Sequence, residues 1–153
     1  LQQHKGIVLK IAASWCAHPA DRADLAQDIA LQLWRAWPSW DASRPFATWM
    51  YRIALNVAIS QQRRARSRPD HDAIADEHEH VAGADDVDAV TREQLERLHR
   101  AMRALGPLDR ALLLLHLDGN DHATAGDVLG ISAGNVATRL TRIRERLRQL
   151  ATA

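Results

Sequence analysis

Large apolar side chains recur at intervals of three and four residues in several segments of the sequence. The stripes are Ile7, Ile11 and Trp15; Leu25, Ile29, Leu33 and Trp37; Phe46, Trp49, Met50, Ile53 and Val57; and Val136, Leu140, Ile143, Leu147 and Leu150. This spacing places each stripe on one face of an α-helix. No segment shows the strict alternation that is typical of a strand. The sequence therefore predicts an all-α fold.

Charge divides the chain into three blocks that the net charge of +1 conceals. Residues 1–68 carry 10 Lys and Arg against 4 Asp and Glu, residues 69–91 carry none against 8, and residues 92–153 carry 10 against 7. We therefore predict two small helical domains, 1–68 and 92–153, joined by a flexible acidic linker at 69–91. A linker of about 23 residues could span up to ~75 Å when extended. Two basic units on such a tether suggest that both face a polyanion.

Aromatic and basic residues are concentrated between residues 24 and 68. Four of the five tryptophans lie there, at positions 34, 37, 40 and 49, and the stretch ends in Arg63, Arg64, Arg66 and Arg68. Proteins that bind single-stranded nucleic acid use aromatic rings to stack on bases and nearby cations to bind phosphates. The alternative is that the tryptophans form a core and that the arginines are a solvated helix end.

The last third of the chain has the pattern of a helix-turn-helix. A short helix at 122–129 is followed by Gly130, which permits a tight turn, and by Ser132, which is a good N-cap for the next helix. The start of the second helix of such a motif enters the major groove, where Arg, Asn and Thr can reach base edges. An ordinary amphipathic helix with an arginine-rich face is the alternative. Gly126, in the middle of the first helix, is expected to weaken that helix by up to ~1 kcal/mol relative to Ala.

Several classes of protein are disfavoured. The single cysteine, Cys16, excludes an internal disulfide framework, and no apolar run approaches the ~20 residues of a membrane span. No signal peptide is visible, so a cytoplasmic protein is expected. The motifs of metalloproteases, phosphate-binding loops and nucleophile elbows do not occur, which argues against an enzyme. His71, His78 and His80 lie in the acidic linker, which lacks the rigid frame of a metal site.

Two long stretches, in this order, resemble the bacterial sigma-70 family of RNA polymerase specificity subunits. DLAQDIALQLWRAW is similar to the core-binding helix of the domain called region 2, and PFATWMYRIALNVAISQQRR is similar to its promoter −10 helix. LDRALLLLHLDGNDHATAGDVLGISAGNVATRLTRIRERLRQL resembles region 4. The linker is too short for the middle domain of larger sigma factors. The chain is therefore identified as a member of the small extracytoplasmic-function (ECF) group.

The resemblance implies roles for individual residues. The positions that would dock on the clamp helices of the polymerase β′ subunit are Asp24, Gln27, Asp28 and Arg35. The positions that would bind the −10 element are Trp40, Asp41, Arg52, Asn56, Arg63 and Arg64, of which Trp40 and Asp41 are candidates for a pocket that holds an unpaired base. The positions that would read the −35 element as duplex are Asn135, Thr138, Arg139, Thr141 and Arg142.

The function implied by the resemblance is promoter-specific initiation, without a cofactor, a bound metal or a catalytic residue. The implied partners are core RNA polymerase, through its β′ clamp helices and β flap, promoter DNA, and an anti-sigma protein. No contact with a membrane is expected. The alternative function is a stand-alone helix-turn-helix regulator whose N-terminal half senses a signal or dimerises.

Overall fold

The computed structural model describes residues 4–67 and 89–152, and every regular element in these two ranges is helical. The elements are α1 (Lys5–Trp15), α2 (Pro19–Ala36), a 3₁₀ turn (Trp37–Ser39), α3 (Phe46–Ser67), α4 (Ala89–Arg103), α5 (Pro107–Leu117), α6 (His122–Leu129) and α7 (Ala133–Thr152). The predicted all-α class is confirmed. None of the described helices is long and apolar enough to cross a lipid bilayer.

The predicted acidic linker falls almost wholly outside the described residues, and so do its three histidines. Helix α4 begins at Ala89, inside the stretch that the charge pattern assigns to the linker. The linker's interior, 69–88, therefore stays a prediction from composition, while residues 89–91 belong to the C-terminal helical half.

In the N-terminal half, α1, α2 and α3 pack against one another. Leu25, Ile29 and Leu33 form the buried stripe of α2, as their spacing predicts. Trp37 was predicted to continue this stripe, but its side chain is 47% exposed. The reason is local: α2 ends at Ala36, and the 3₁₀ turn that contains Pro38 carries Trp37 out of register with the stripe.

In the C-terminal half, α5 lies at the centre and packs against α4, α6 and α7. Its five consecutive residues 111–115 are all buried, which is the behaviour of a helix that is apolar nearly all round. Helix α7 packs on it through Val136, Leu140 and Ile143, which are at most 3% exposed.

The two halves are not separate bodies in this structure, because they share one continuous apolar core. Helix α3 packs on α1 and α2 with one side and on α5 and α6 with another, while α1 also packs on α4. Tyr51 and Leu55 of α3 are therefore buried, at 5% and 1% exposure, although they lie off the predicted stripe. The association of the halves brings the loop before α3 close to the helix-turn-helix.

Candidate nucleic-acid interface

An aromatic cluster surrounds the loop between α2 and α3. The ring of Trp37 lies 5.4 Å from that of Trp40, 5.9 Å from that of Phe46 and 6.1 Å from that of Trp49, measured between centroids. Edge-to-face and tilted contacts at such distances stabilise aromatic pairs beyond the area that they bury. The sequence left open whether these rings are core or binding surface. Phe46 and Trp49 pack against the core, and Trp49 also lines a cavity.

The loop itself is held by local hydrogen bonds around Asp41. The backbone N–H of Ser43 donates to Asp41 Oδ1 at 2.9 Å, and this bond holds the pKa of the Asp41 carboxyl below its usual value. Asp41 is exposed and charged at neutral pH. The indole Nε1 of Trp40 is buried and has no hydrogen-bond partner among the described residues. A buried donor without a partner is unusual, because its desolvation is then uncompensated.

A cavity of about 640 Å³ opens between this loop and α6. Its lining residues are Ser39, Trp40, Asp41, Arg44, Pro45, Thr48, Trp49, Arg52, Ala123, Thr124 and Asp127. The structure thus brings together Trp40, Asp41 and Arg52 of the six residues predicted for the −10 element. Asn56, Arg63 and Arg64 lie farther along α3, where they are exposed.

Arg52 does not point freely into this cavity. Its Nη2 donates to the main-chain oxygen of Asp127 at 2.9 Å and lies 3.3 Å from the Asp127 carboxylate. Asp127 belongs to α6, the first helix of the predicted helix-turn-helix. The cation predicted to bind −10 DNA is therefore paired with a carboxylate of the C-terminal half.

The helix-turn-helix is present as α6, a turn and α7. Asp121 caps α6 by accepting from the backbone N–H of Thr124 at 2.7 Å. Gly130 adopts a left-handed conformation (φ +74°), which L-residues with a Cβ rarely adopt. Ser132 Oγ accepts from the backbone N–H of Asn135 at 3.1 Å, so the predicted N-cap of α7 is confirmed.

The expectation that Gly126 is a weak point of α6 is wrong. A Cβ built on Gly126 would lie 2.5 Å from the main-chain oxygen of Ile131, closer than real Cβ contacts come. The Gly126 carbonyl also accepts from the backbone N–H groups of Gly130 and Ile131. Glycine is needed here because the turn folds back directly onto α6.

Four of the five residues predicted to read the −35 element line the outer side of α7. Asn135, Thr138, Thr141 and Arg142 are exposed. The hydroxyls of both threonines donate to main-chain oxygens one turn earlier, at 3.1 Å. Their methyl groups and accepting lone pairs remain available on the surface.

The fifth predicted residue, Arg139, is partly exposed and is paired with a neighbouring helix. Its Nη1 pairs with Asp109 of α5 at 3.1 Å, and both side chains are about one-third exposed. The structure therefore places Arg139 on the boundary between the core and the outer face of α7.

The residues predicted to contact polymerase lie on the solvent side of α2. Asp24, Gln27, Asp28 and Arg35 are all exposed, and Asp28 accepts a hydrogen bond from Gln61 of α3. The same face carries Trp34, which is 77% exposed, and Leu31, which is 46% exposed. Sequence reasoning did not assign these two residues to the site. The available signal was that both lie off the stripe of Leu25, Ile29 and Leu33.

Comparison with known proteins identifies the two halves. Residues 1–68 match the family model of sigma-70 region 2, and residues 95–147 match that of sigma-70 region 4. The chain belongs to the sigma-70 family. The RNA polymerase sigma factor NccH of Alcaligenes xylosoxydans xylosoxydans is 31% identical over 156 residues, which cover 98% of this chain and 83% of NccH. The ECF sigma factor SigW of Bacillus subtilis is 30% identical over 142 residues, covering 82% of this chain and 73% of SigW.

Two solved structures share the fold along nearly the whole chain. The sigma factor RpoE of Bartonella quintana, in complex with the anti-sigma factor NepR, superposes with a TM-score of 0.77 at 23% identity and covers 100% of this chain and 94% of that one. CnrH, in complex with the cytosolic domain of CnrY, gives 0.70 at 25% identity, with coverage of 99% and 84%. The protein is an ECF sigma factor, which directs promoter-specific transcription. Sigma factors are not enzymes.

Proposed function

We propose that this ECF sigma factor binds core RNA polymerase in the cytoplasm, captures −10 bases with region 2 as the strands part, and reads the −35 duplex with region 4. The observation that carries this proposal is the cavity whose lining includes Trp40, Asp41, Trp49 and Arg52. A ring, a carboxylate, a second ring and a cation are the groups that hold an unpaired base and its phosphate.

The energetics of base capture favour this site. Extruding a base from the duplex costs a few kcal/mol, and stacking of that base on an aromatic ring contributes about 1–3 kcal/mol of favourable free energy, which offsets much of the cost. The ionised Asp41 supplies acceptors for the amino group of a base. Arg52 supplies the positive charge for a flanking phosphate once its pairing with Asp127 is broken.

Region 4 supplies the duplex contacts. Asn135, Thr138, Thr141 and Arg142 lie on the outer side of α7 and follow its N-terminus, which is the part of a recognition helix that enters the major groove. We assign base contacts to these four side chains. Arg139 is assigned to positioning α7 on α5, through its pairing with Asp109.

The solvent face of α2 is the proposed docking surface for the β′ clamp helices. Trp34 and Leu31 form an exposed apolar centre, and Asp24, Asp28 and Arg35 form a charged rim around it. Such an arrangement is typical of an interface hot spot. We propose that region 4 also contacts the β flap, as the family resemblance implies.

An anti-sigma protein is the proposed inhibitor. Two similar proteins, RpoE and CnrH, have been solved with the anti-sigma factor NepR and with CnrY respectively. Because this chain shares their fold along nearly its whole length, we propose that a protein partner of the same kind holds it inactive until a signal arrives.

The test is run-off transcription by core polymerase on a fragmented bacterial genomic library, with and without this protein. New start sites that share two spaced upstream motifs are expected. Arg52→Ala should impair opening at these sites, and Arg142→Ala should weaken the −35 contact. If no new start sites appear while the protein binds duplex DNA without polymerase, the stand-alone regulator replaces this proposal.

The polymerase surface is tested separately by titrating labelled core polymerase. Trp34→Ala is expected to weaken binding by at least tenfold, since a central tryptophan in an interface is worth ~2 kcal/mol or more. Its thermal stability should be unchanged because the side chain is 77% exposed. Leu9→Ala, which removes a 52% exposed side chain from α1, is the matched control. Equal affinities of the two variants would exclude α2 as the docking surface.

A further inference from the structure

A hydrogen bond joins the proposed polymerase-docking surface of α2 to the side of α3. The side-chain Nε2 of Gln61 donates to Oδ2 of Asp28, from a position 33 residues farther along the chain. Asp24 and Arg35, the other members of the charged rim, form no side-chain hydrogen bond within residues 4–67 and 89–152. Asp28 is therefore distinguished from its neighbours on the rim by a partner on another helix.

The helices at both ends of this hydrogen bond are firmly held. Ile29, the residue after Asp28 on α2, is 0% exposed. On α3, the residue after Gln61 is Gln62, whose side-chain oxygen accepts from the indole Nε1 of Trp15 at 2.9 Å. Trp15 is itself buried in the core. Because the backbone is fixed on both sides, the bond between Gln61 and Asp28 constrains the side chains and not the helices.

The bond is poorly placed to stabilise the fold. Asp28 is exposed and Gln61 is half-buried, so that water can replace either partner. Hydrogen bonds that exchange with water contribute little to net stability. What the bond does is to hold an otherwise rotatable carboxylate in one orientation. An exposed side chain without such a restraint loses its rotational freedom when a partner binds it, and this loss opposes binding.

The same bond leaves Asp28 able to accept from a partner. An ionised carboxylate has about four acceptor positions on its two oxygens, and Gln61 occupies one of those on Oδ2. Oδ1 remains open to a cation or an N–H donor on the polymerase. Gln61 therefore orients the carboxylate without covering it.

We propose that Gln61 is a positioning residue for polymerase docking, which holds the Asp28 carboxylate in the orientation that polymerase binds. The freedom of the Asp28 side chain is then lost when the protein folds and not when polymerase docks. This inference rests on the proposed function, because it assigns the solvent face of α2 to the β′ clamp helices. Sequence reasoning gave Gln61 no role.

The first test is a titration of labelled core polymerase with Gln61→Ala. The affinity is expected to fall about fivefold, the loss that corresponds to ordering one side chain on binding. Gln94→Ala is the control, since it removes the same group from an exposed position on α4. It should bind polymerase like the unmodified protein. The thermal midpoints of the two variants should agree, because the bond that Gln61 forms adds little to stability.

A double-mutant cycle separates positioning from a merely structural role. If Gln61 acts through Asp28, the double variant Gln61→Ala, Asp28→Ala should bind polymerase as Asp28→Ala does, within about twofold. Gln62→Ala is the matched control on the same turn of α3, because its partner is Trp15 and not Asp28. Whatever affinity Gln62→Ala loses should add in full to the loss caused by Asp28→Ala.

Three results would overturn the positioning role while leaving the docking surface in place. The first is that Gln61→Ala binds polymerase as well as Gln94→Ala does. The second is that it binds more tightly, which would make Gln61 a competitor for Asp28. The third is that the losses caused by Gln61→Ala and Asp28→Ala add in full. If the unmodified protein does not bind core polymerase at all, the proposed function fails, and the role of Gln61 fails with it.

Discussion

Replacing Gly126 by Ala tests the geometry of the helix-turn-helix most directly. The added Cβ would lie 2.5 Å from the main-chain oxygen of Ile131. Carbon and oxygen atoms that are not bonded approach to about 3.3 Å at closest in favourable contacts. The turn would therefore have to move by roughly 0.8 Å. It cannot do so easily, because Ile131 is tied to Gly126 by a backbone hydrogen bond of 3.0 Å.

The expected magnitude follows from two opposing terms. Overpacking of a tightly closed site costs about 1–3 kcal/mol. Alanine gains up to ~1 kcal/mol over glycine from helix propensity. We therefore expect the free energy of unfolding of Gly126→Ala to fall by up to about 2 kcal/mol. Since α6 and α7 would also change their relative angle, duplex binding should weaken.

Urea denaturation followed by far-UV circular dichroism measures this change. Gly134→Ala is the matched control, because Gly134 lies in the first turn of α7 and a Cβ there meets nothing within 4 Å. That variant should be unchanged or more stable by a few tenths of a kcal/mol. If Gly126→Ala is instead stabilised by up to ~1 kcal/mol, as propensity alone predicts, the close approach of the turn to α6 is refuted.

Two further changes test the core and the pH dependence. The guanidinium of Arg110 donates to three main-chain oxygens at and just beyond the end of α4. Arg110→Lys is expected to lower the free energy of unfolding by about 2–4 kcal/mol in urea denaturation, because one ammonium cannot replace this planar group. A loss below about 1 kcal/mol would contradict that role. Burial, and then the charge of Arg103, lower the pKa of His99 from its ordinary 6.5. The stability that neutral His99 contributes is thus full above pH 6.5 and is lost as pH falls through the lower folded pKa. The urea midpoint should fall less between pH 7 and pH 5 in His99→Gln than in the exposed control His122→Gln, and equal falls would rule out this source of acid sensitivity.

Local patterns predicted the helices and their ends well. The stripe of Leu25, Ile29 and Leu33 and the cap at Ser132 depend only on residues a few positions apart. Such short-range relations can be predicted from the sequence alone. For the same reason the helix-turn-helix could be located before its structure was known.

Burial that depends on a distant segment could not be predicted in this way. Tyr51 and Leu55 are buried because α3 has a second packing surface, which is supplied by helices beyond the acidic linker. The need for glycine at position 126 could not be predicted from helix propensity. A side chain there would clash with Ile131 across the turn, and propensities do not describe the path of a turn. Trp34 lies off its stripe, as Tyr51 and Leu55 lie off theirs, yet only Trp34 is exposed, so position off a stripe is a signal of exposure that packing can override.

The all-α class, the order of the two regions and the residue types available for binding can be read from contiguous residues, because periodicity, capping and family resemblance are local properties. The shared core of the two regions becomes visible only when whole helices are packed together. The same packing places Asp118 between Lys10 and Tyr51, and Arg52 beside Asp127. In each of these contacts the two residues are separated by between 67 and 108 positions in the sequence. Their formation depends on how whole helices pack, which no local pattern specifies.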